Sequence, residues 1–209
     1  MLISPEQLVG FLTAAMLITV SPGPDNLMVL SVGMSRGRRQ GMAFGLGCAL
    51  GCLSHTVLAT LGVSALIKAS PLAFGALKLL GGGYLVWLGI GALRSRGGAR
   101  VEGAGLPEES LVRLFSKGLL ANAINPKVVL FFLSFLPQFV LAERGDASWQ
   151  TAQLGILFTL QGVLIFGLLG YFSGAVGGWI NRHPGAGQWM DRIAGAIFVG
   201  LGLKLLVSR

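Results

Sequence analysis

Prolines interrupt apolar stretches at matching positions in the two halves of the chain. The first break is Ser-Pro-Gly-Pro-Asp-Asn at 21–26, midway along a stretch that starts near Leu8. The second is Asn-Pro-Lys at 125–127, at a similar depth in a stretch that starts near Leu114. Proline removes a backbone donor and clashes with the preceding turn, and in hydrocarbon such a break survives only inside protein or beside a wet cavity. Paired breaks in corresponding helices are typical of the binding site of a secondary transporter.

The composition is that of a membrane protein. The chain is 53% hydrophobic and only 11% charged, well under the roughly 25% of a soluble domain. Its net charge of +8 would suit nucleic-acid binding, but the basic residues cluster in short loops between apolar stretches. They therefore indicate membrane topology instead. We predict one membrane transporter domain over residues 1–209, with lipid around it and no nucleic-acid partner.

Six membrane spans can be drawn, and the first and fourth contain the breaks. Their predicted bounds are 7–34, 41–67, 71–93, 114–140, 151–180 and 193–207. A span requires about 20 residues, so the sixth is short. The fold predicted from this pattern is an all-α membrane protein with six transmembrane helices.

Basic residues favour the loops that follow spans one, three and five. These residues are Arg36, Arg38, Arg39, Arg94, Arg96, Arg100, Arg113, Lys117, Arg182 and Arg192. The alternate loops hold only Lys68 and Arg144. The positive-inside rule then places the arginine-rich loops in the cytoplasm and, with six spans, both termini in the periplasm. A five-span alternative, with a basic cytoplasmic tail from Arg182 onward, is compatible with the same charge count.

An internal repeat favours six spans. Residues 82–91 resemble residues 195–204, which makes span six the counterpart of span three. Three spans per repeat is an odd number, so the second repeat would insert upside down relative to the first. We predict two inverted three-helix repeats, about 1–96 and about 111–209, joined by a flexible linker at about 97–110. The oligomeric state stays open, with a homodimer as one option.

Several short motifs extend over most of the chain. They are the break at 21–26, Ser-Arg-Gly-Arg-Arg-Gln-Gly at 35–41, Phe-Ser-Lys-Gly at 115–118 leading to Asn122 and Asn-Pro-Lys at 125–127, Phe-Phe at 131–132, and Pro-Gln-Phe at 137–139. Together with the length and span number, they resemble the LysE/RhtB family of bacterial amino-acid exporters. The resemblance implies an inner-membrane exporter of an amino acid or close analogue, driven by the proton gradient or membrane potential. Many members have asparagine where this chain has Asp25, so that charge would tune substrate or coupling.

The residues at the breaks suit a zwitterionic substrate. The residues expected to form the helix breaks are Pro22, Gly23, Pro24 and Pro126. Ser21 and Asn125 each precede a proline in the pattern of an N-cap before a first helical residue. The N–H groups of a restarted half-helix would favour a carboxylate. Freed carbonyls on the other side of each break, together with Asp25, would take an ammonium group.

Asp25 is the first candidate for the coupling group. A carboxyl group held between burial and an opposing charge can load and release a proton. The alternatives are a fixed Asp25–Lys127 ion pair that only ties the halves together, and Lys127 as the ligand of the substrate carboxylate. The remaining candidates for substrate contact each have a structural alternative: Asn26, Asn122, Asn125 and Ser21 as helix caps, His55 as a hydrogen-bonded core histidine, and Gln161 as an interhelical hydrogen bond.

Two competing functions are a cation permease of similar inverted-repeat architecture and a membrane enzyme. Hard cations require several oxygen ligands, and transition metals favour clusters of His or Cys. Near mid-membrane the chain offers only Asp25, His55, Cys48 and Cys52. We see no pairing of a nucleophile with a base. We therefore predict no enzymatic activity, no metal site and no cofactor.

Overall fold

The structure, a computed structural model, describes residues 3–63, 70–95, 109–141 and 144–207, and every regular element in those ranges is helical. The α-helices are α1 Pro5–Val20, α2 Pro24–Arg36, α3 Arg38–Leu58, α4 Pro71–Arg94, α5 Leu111–Ala123, α6 Pro126–Leu130, α7 Ala147–Tyr171, α8 Ser173–Arg182 and α9 Pro184–Val207. The all-α prediction is confirmed. The predicted linker at 97–110 lies outside the described residues, apart from its last two positions.

Both predicted breaks are present. α1 and α2 are bent by 53° relative to each other, and α5 is bent by 49° relative to the helix that starts at Pro126. Each second half-helix starts with a proline at its first position, Pro24 in α2 and Pro126 in α6. α6 continues through a π-helical turn, Phe131–Phe135, and a 3-10 turn, Leu136–Phe139. Proline ends the preceding helix because its ring and missing N–H cannot continue it.

Helix length and composition identify fewer membrane-crossing helices than the six predicted. Three helices in the described ranges are long and apolar enough to cross a membrane, or up to five if each bent pair counts as one span. α9 has 24 residues but carries Asp191 and Arg192. It starts at Pro184, before the predicted 193, because charged residues interrupt an apolar run without interrupting a helix. The six-span count stays a prediction.

Glycines set the distances between the main helix pairs. α3 packs against both α5 and α7, and α9 packs along α4. An added Cβ at Gly202 would lie 2.7 Å from the carbonyl oxygen of Gly82, and one at Gly195 would lie 2.7 Å from that of Gly89. Such close backbone approach is the usual role of small residues in membrane helix pairs. Because Gly82 contacts Gly202 while Gly89 contacts Gly195, the two helices run antiparallel.

A cluster of phenylalanines, the aromatic cluster, fills the half of the molecule where α1 begins and the second broken helix ends. Its members are Phe11, Phe131, Phe132, Phe135, Phe139 and Phe158. The ring of Phe158 lies 5.1 Å from that of Phe131 and 5.0 Å from that of Phe132, between centroids. Gln7 donates to the carbonyl oxygen of Phe139 beside this cluster. The aromatic cluster therefore closes this side of the bundle.

Candidate functional site

The two breaks lie against each other, and each contributes a charged side chain to the other. Asp25, the second residue of α2, accepts a 2.7 Å hydrogen bond from Nδ2 of Asn122 in the last turn of α5. Lys127, the second residue of α6, donates from Nζ to the carbonyl oxygens of Ile18 at 3.2 Å and Ser21 at 3.1 Å, where α1 ends. Each restarted half-helix therefore reaches the end of the other broken helix.

Asp25 and Lys127 are both buried, with exposed fractions of 2% and 6%, yet they are not directly paired. The salt bridges among described residues all involve Glu109, so the carboxylate and the ammonium lie beyond the 4.0 Å limit. Instead, Asp25 lies at the N-terminus of α2, and the ammonium group of Lys127 lies at the C-terminus of α1. Each helix end carries a partial charge of the opposite sign, which stabilises the side-chain charge. The direct ion pair considered from the sequence is absent from this conformation.

Gly23 makes room for the Lys127 ammonium group. Its backbone is extended, with φ at −168°, so its conformation would suit any residue. A Cβ at this position, however, would lie 2.7 Å from Nζ of Lys127. The glycine between the two prolines therefore has a packing reason that the sequence alone did not show.

Polar residues of α3 and α7 bind the broken ends. Nε2 of His55 lies 3.0 Å from the carbonyl oxygen of Asn122, which can only accept, so His55 donates. Gln161 donates to the hydroxyl of Thr19 at 2.8 Å, and Asn26 donates to the carbonyl oxygen of Thr19 at 2.9 Å. His55 and Gln161 thus make the interhelical contacts foreseen as their structural alternatives. Thr19 was missed by the sequence reasoning, although it is a polar residue two positions before the break.

The two predicted N-caps have different outcomes. The side chain of Asn125 accepts a 3.0 Å hydrogen bond from the backbone N–H two residues later, as an N-cap does. The N-cap prediction for Ser21 is wrong, because Ser21 ends α1 and Gly23 precedes α2. A residue before a proline is driven towards extended backbone. Since Pro24 follows Pro22 so closely, the helix restarts only at the second of them.

Several buried polar atoms around the breaks have no hydrogen-bond partner within the described part of the chain. They are Oγ of Ser21, Oδ1 of Asn26, Nδ2 of Asn125 and Oε1 of Gln161. Buried polar groups are normally paired, and leaving one unpaired costs about 1–3 kcal/mol. The set contains a donor as well as acceptors. It therefore suits a ligand that carries both a donating and an accepting group.

A small cavity separates the two charged side chains. It is bordered by Asp25, Asn122, Lys127, Phe131 and Phe158, among others. The space open to the centre of a water molecule is about 10 Å³, which is room for about one water. The site is therefore occluded in this conformation, and a larger ligand requires the helices to move.

The family is decided by sequence comparison. The model of the LysE type translocator matches residues 16–209, a range that holds both breaks and every residue of the site described above. The chain belongs to the LysE type translocator family. The family resemblance found in the motifs is confirmed.

The relatives of this LysE-type chain align over nearly their whole length. The threonine efflux protein of Escherichia coli K12 is 33% identical over 95% of this chain and 98% of that protein. The homoserine/homoserine lactone efflux protein of Salmonella typhimurium is 27% identical over 96% of each chain. A membrane protein of Vibrio cholerae is 32% identical over 96% of each chain. No solved structure matches the chain significantly.

Family membership settles the class of the protein. The chain is a multi-pass inner-membrane translocator rather than an enzyme. The enzyme alternative is therefore discarded. The apolar helices with two bent pairs agree with this class.

The LysE-type chain has a larger, mostly apolar pocket, the vestibule, on the α2 side of the first break. Its volume is about 140 Å³, and its wall comes mainly from α2, α7, α8 and α9. It extends from Pro22 and Asn26 at the break to Gly187 and Asp191 at the start of α9. Asp191 accepts a 2.6 Å hydrogen bond from the hydroxyl of Ser95. The vestibule thus reaches Asn26, whose Oδ1 is unpaired, from the side opposite the aromatic cluster.

A charge cluster joins the ends of the two broken helices on the arginine-rich side of this translocator. Glu109 lies 3.2 Å from Arg36 at the end of α2, and it also binds Arg113 at 3.1 Å and Lys117 at 2.6 Å. The hydrogen bond from Lys117 holds the pKa of the Glu109 carboxyl below its usual range. Because the pKa of this carboxyl is lower in the folded state, its charge stabilises the fold at a pH above the pKa of the unfolded state. This contribution is lost as the pH falls through the pKa of the folded state.

Proposed function

We propose that the chain exports an amino acid or a close analogue from the cytoplasm, and that the crossed breaks are its substrate site. The observation that carries the proposal is the occluded cavity bordered by Asp25 and Lys127, which are both buried and form no direct ion pair. Polar atoms without partners lie at the same two breaks. An amino acid is a zwitterion, so it offers charges and hydrogen-bonding groups of both kinds. The named activities of the threonine and homoserine relatives support this substrate class.

The polar atoms suggest how the substrate is held. The substrate ammonium group would donate to the Asp25 carboxylate and to the carbonyl oxygens at the end of α1. The free oxygens of Asn26 and Gln161 would accept from other donors of the substrate. The free Nδ2 of Asn125 would donate to the substrate carboxylate. The contacts to Asn26, Gln161 and Asn125 would satisfy atoms that are otherwise buried without a partner, which favours a bound ligand. Asn122 and His55 would position other groups rather than contact the substrate. Asn122 donates to Asp25, and His55 donates to the carbonyl oxygen of Asn122.

We propose Asp25 as the proton-coupling group. It is a buried carboxylate that borders the cavity, and its hydrogen bond comes from a neutral amide rather than from a cation. In this proposal the carboxylate exchanges a proton with water when the cavity opens on either side. A proton gradient, or the membrane potential acting on the charge of the coupled proton, would then drive export.

The vestibule and the aromatic cluster support a direction of loading. The vestibule lies on the side where α2 ends at Arg36, which the distribution of arginines assigns to the cytoplasm. The aromatic cluster closes the opposite side. Substrate would load through the vestibule, and release would require the phenylalanine rings to separate. The π-helical turn at Phe131–Phe135 lies within this cluster, and such turns are frequent at functional sites.

For the topology we propose six spans in two inverted repeats, about 1–96 and 111–209, with both termini in the periplasm. The contacts between α4 and α9 support it. The internal repeat aligns Gly82 with Gly195 and Gly89 with Gly202. When each glycine is replaced by its aligned counterpart, the Gly82–Gly202 contact becomes the Gly195–Gly89 contact, as expected for two equivalent helices. α4 is long and apolar enough to cross a membrane. α9 packs antiparallel along it, so α9 would cross the same layer in the opposite direction.

The topology predicts that position 208, which lies outside the described residues, faces the periplasm. Ser208→Cys, in a background with Cys48→Ala and Cys52→Ala, should react with a membrane-impermeant maleimide in intact cells. Arg39→Cys, at the exposed start of α3, is the matched control and should react only after lysis. Protection of the Cys at 208 until lysis would contradict the six-span topology.

The export function predicts accumulation of labelled amino acid in inside-out membrane vesicles. With an imposed proton gradient, vesicles that contain the chain should take up L-threonine or L-homoserine, and a protonophore should stop the uptake. Vesicles without the chain are the control. If divalent cations cross and neither amino acid does, the alternative of a cation permease replaces the proposal.

A further inference from the structure

We propose that the end of α1 is a binding site for a primary ammonium group, and that Lys127 fills this site until a substrate displaces it. The site, called the ammonium seat below, consists of the carbonyl oxygens of Ile18 and Ser21, the ring of Phe198 and the space over Gly23. The displacement of Lys127 by an amino acid rests on the proposed export function. The affinity of the ammonium seat for a simple amine does not depend on that function.

The ammonium seat is built from neutral groups. Nζ of Lys127 donates to the carbonyl oxygens of Ile18 and Ser21 and lies 5.8 Å from the centroid of the Phe198 ring. Two hydrogen bonds and a ring face are a suitable surrounding for an ammonium group, which has three donors and no acceptor. A side chain at Gly23 would close the space over Nζ. The fit is therefore specific to a small, hydrogen-bonding cation.

The break is the reason that the carbonyls are available. The last carbonyls of a helix have no partner within it, and they form the negative end of its dipole. α1 stops at Val20 in the middle of the bundle, so these carbonyls face the interior rather than water. Lys127 satisfies them, and no carboxylate of the described residues lies within 4.0 Å of its Nζ. A substrate ammonium group has the same donors as the lysine head and could replace it.

Such a replacement would change how the helices are joined. Lys127 connects α6 with α1 through its hydrogen bonds and with α9 through the ring of Phe198. A free amino acid in the ammonium seat would keep the carbonyls satisfied while it releases α6 from both helices. The displaced lysine head would then be free to bind the substrate carboxylate. Substrate binding would thereby remove an internal connection between the two halves of the chain.

Competition with Lys127 has a measurable consequence. The apparent affinity of a ligand is reduced by the fraction of protein in which its site is vacant. If Lys127 fills the seat about nine-tenths of the time, removing its side chain should strengthen the binding of a small amine about tenfold. The gain should require N–H donors, because the carbonyl oxygens bind only donors.

The test uses Lys127→Ala in detergent, with ethylammonium and tetramethylammonium as probes. Ethylammonium should bind Lys127→Ala about tenfold more tightly than the unaltered protein, measured by calorimetry and by the shift in unfolding temperature. Tetramethylammonium, which has no N–H, should show no gain. Lys117→Ala, which removes a half-exposed lysine of the charge cluster, is the matched control and should bind ethylammonium no better than the unaltered protein.

The outcomes separate this proposal from the export function. If Lys127→Ala is stable only with ethylammonium present, the ammonium seat is supported; if neither ion stabilises or binds it, the proposal is overturned. L-threonine should gain less than ethylammonium from Lys127→Ala, because the variant also lacks the lysine head that would bind the threonine carboxylate. A gain for ethylammonium without amino-acid transport by the unaltered protein would leave the seat and reject the export function. Amino-acid transport by the unaltered protein, without tighter ethylammonium binding by Lys127→Ala, would support the export function and reject the ammonium seat.

Discussion

Replacing Asp25 with alanine should abolish export, and replacing it with asparagine should damage export less. Alanine removes the acceptor that Asn122 binds and leaves the Lys127 charge buried with no carboxylate facing it across the cavity. Leaving the buried amide of Asn122 without its acceptor costs about 1–3 kcal/mol. Asparagine keeps an acceptor for Asn122 but cannot exchange a proton, so coupling should fail even where substrate still binds.

Reconstituted vesicles distinguish these variants. Accumulation driven by a proton gradient is compared with simple exchange of labelled amino acid, in which no net proton transfer is required. Asp25→Asn should retain exchange and lose accumulation, whereas Asp25→Ala should lose both. Glu6→Gln, at the exposed start of α1, makes the same carboxyl-to-amide change elsewhere and should retain both. Full accumulation by Asp25→Asn would show that another group couples the proton.

Gly118→Ala should cause a large loss of stability. The added Cβ would overlap the carbonyl oxygen of Phe44 and lie 3.0 Å from the backbone nitrogen of Cys48, so α5 and α3 would have to separate. Overpacking of this kind costs about 1–3 kcal/mol or more. Because Asn122 lies one turn further along α5, the same shift would disturb its contact with Asp25.

Gly83→Ala provides the matched control, since a Cβ at Gly83, on the exposed face of α4, would have no atom of the described residues within 4 Å. It should be neutral or mildly stabilising, because alanine favours a helix more than glycine does. Unfolding temperature in detergent and the yield of folded protein in membranes measure both variants. Equal stability of Gly118→Ala and Gly83→Ala would mean that α3 and α5 are not as close as the structure has them.

Most of what the sequence reached depends on local chemistry. Proline cannot continue a helix wherever it occurs, so the breaks at Pro24 and Pro126 were predictable without knowledge of their surroundings. An asparagine before a proline caps a helix through atoms two residues away, and Asn125 does so. The membrane class follows from composition, and the family follows from motifs beside the breaks.

The sequence reasoning failed where two local rules competed. Ser21 precedes one proline and is separated from another by two residues, so either proline could start the helix. The structure starts it at Pro24. The early start of α9 has a similar cause, since hydropathy locates apolar residues and not hydrogen-bonded turns. Neither helix start depends on distant parts of the chain, yet one sequence does not show which of the possible starts is used.

The arrangement of charges was decided only by the tertiary structure. The sequence placed Asp25 and Lys127 in matching breaks, and a direct ion pair between them was one of the alternatives it left open. In the structure each charge meets the polar end of a broken helix from the other half, Asp25 at Asn122 and Lys127 at Ile18 and Ser21. Sequence patterns record which backbone groups a break frees, but only the packing of the two halves decides which side chain reaches them. The site therefore depends on contacts between residues about a hundred positions apart, for which no local rule exists.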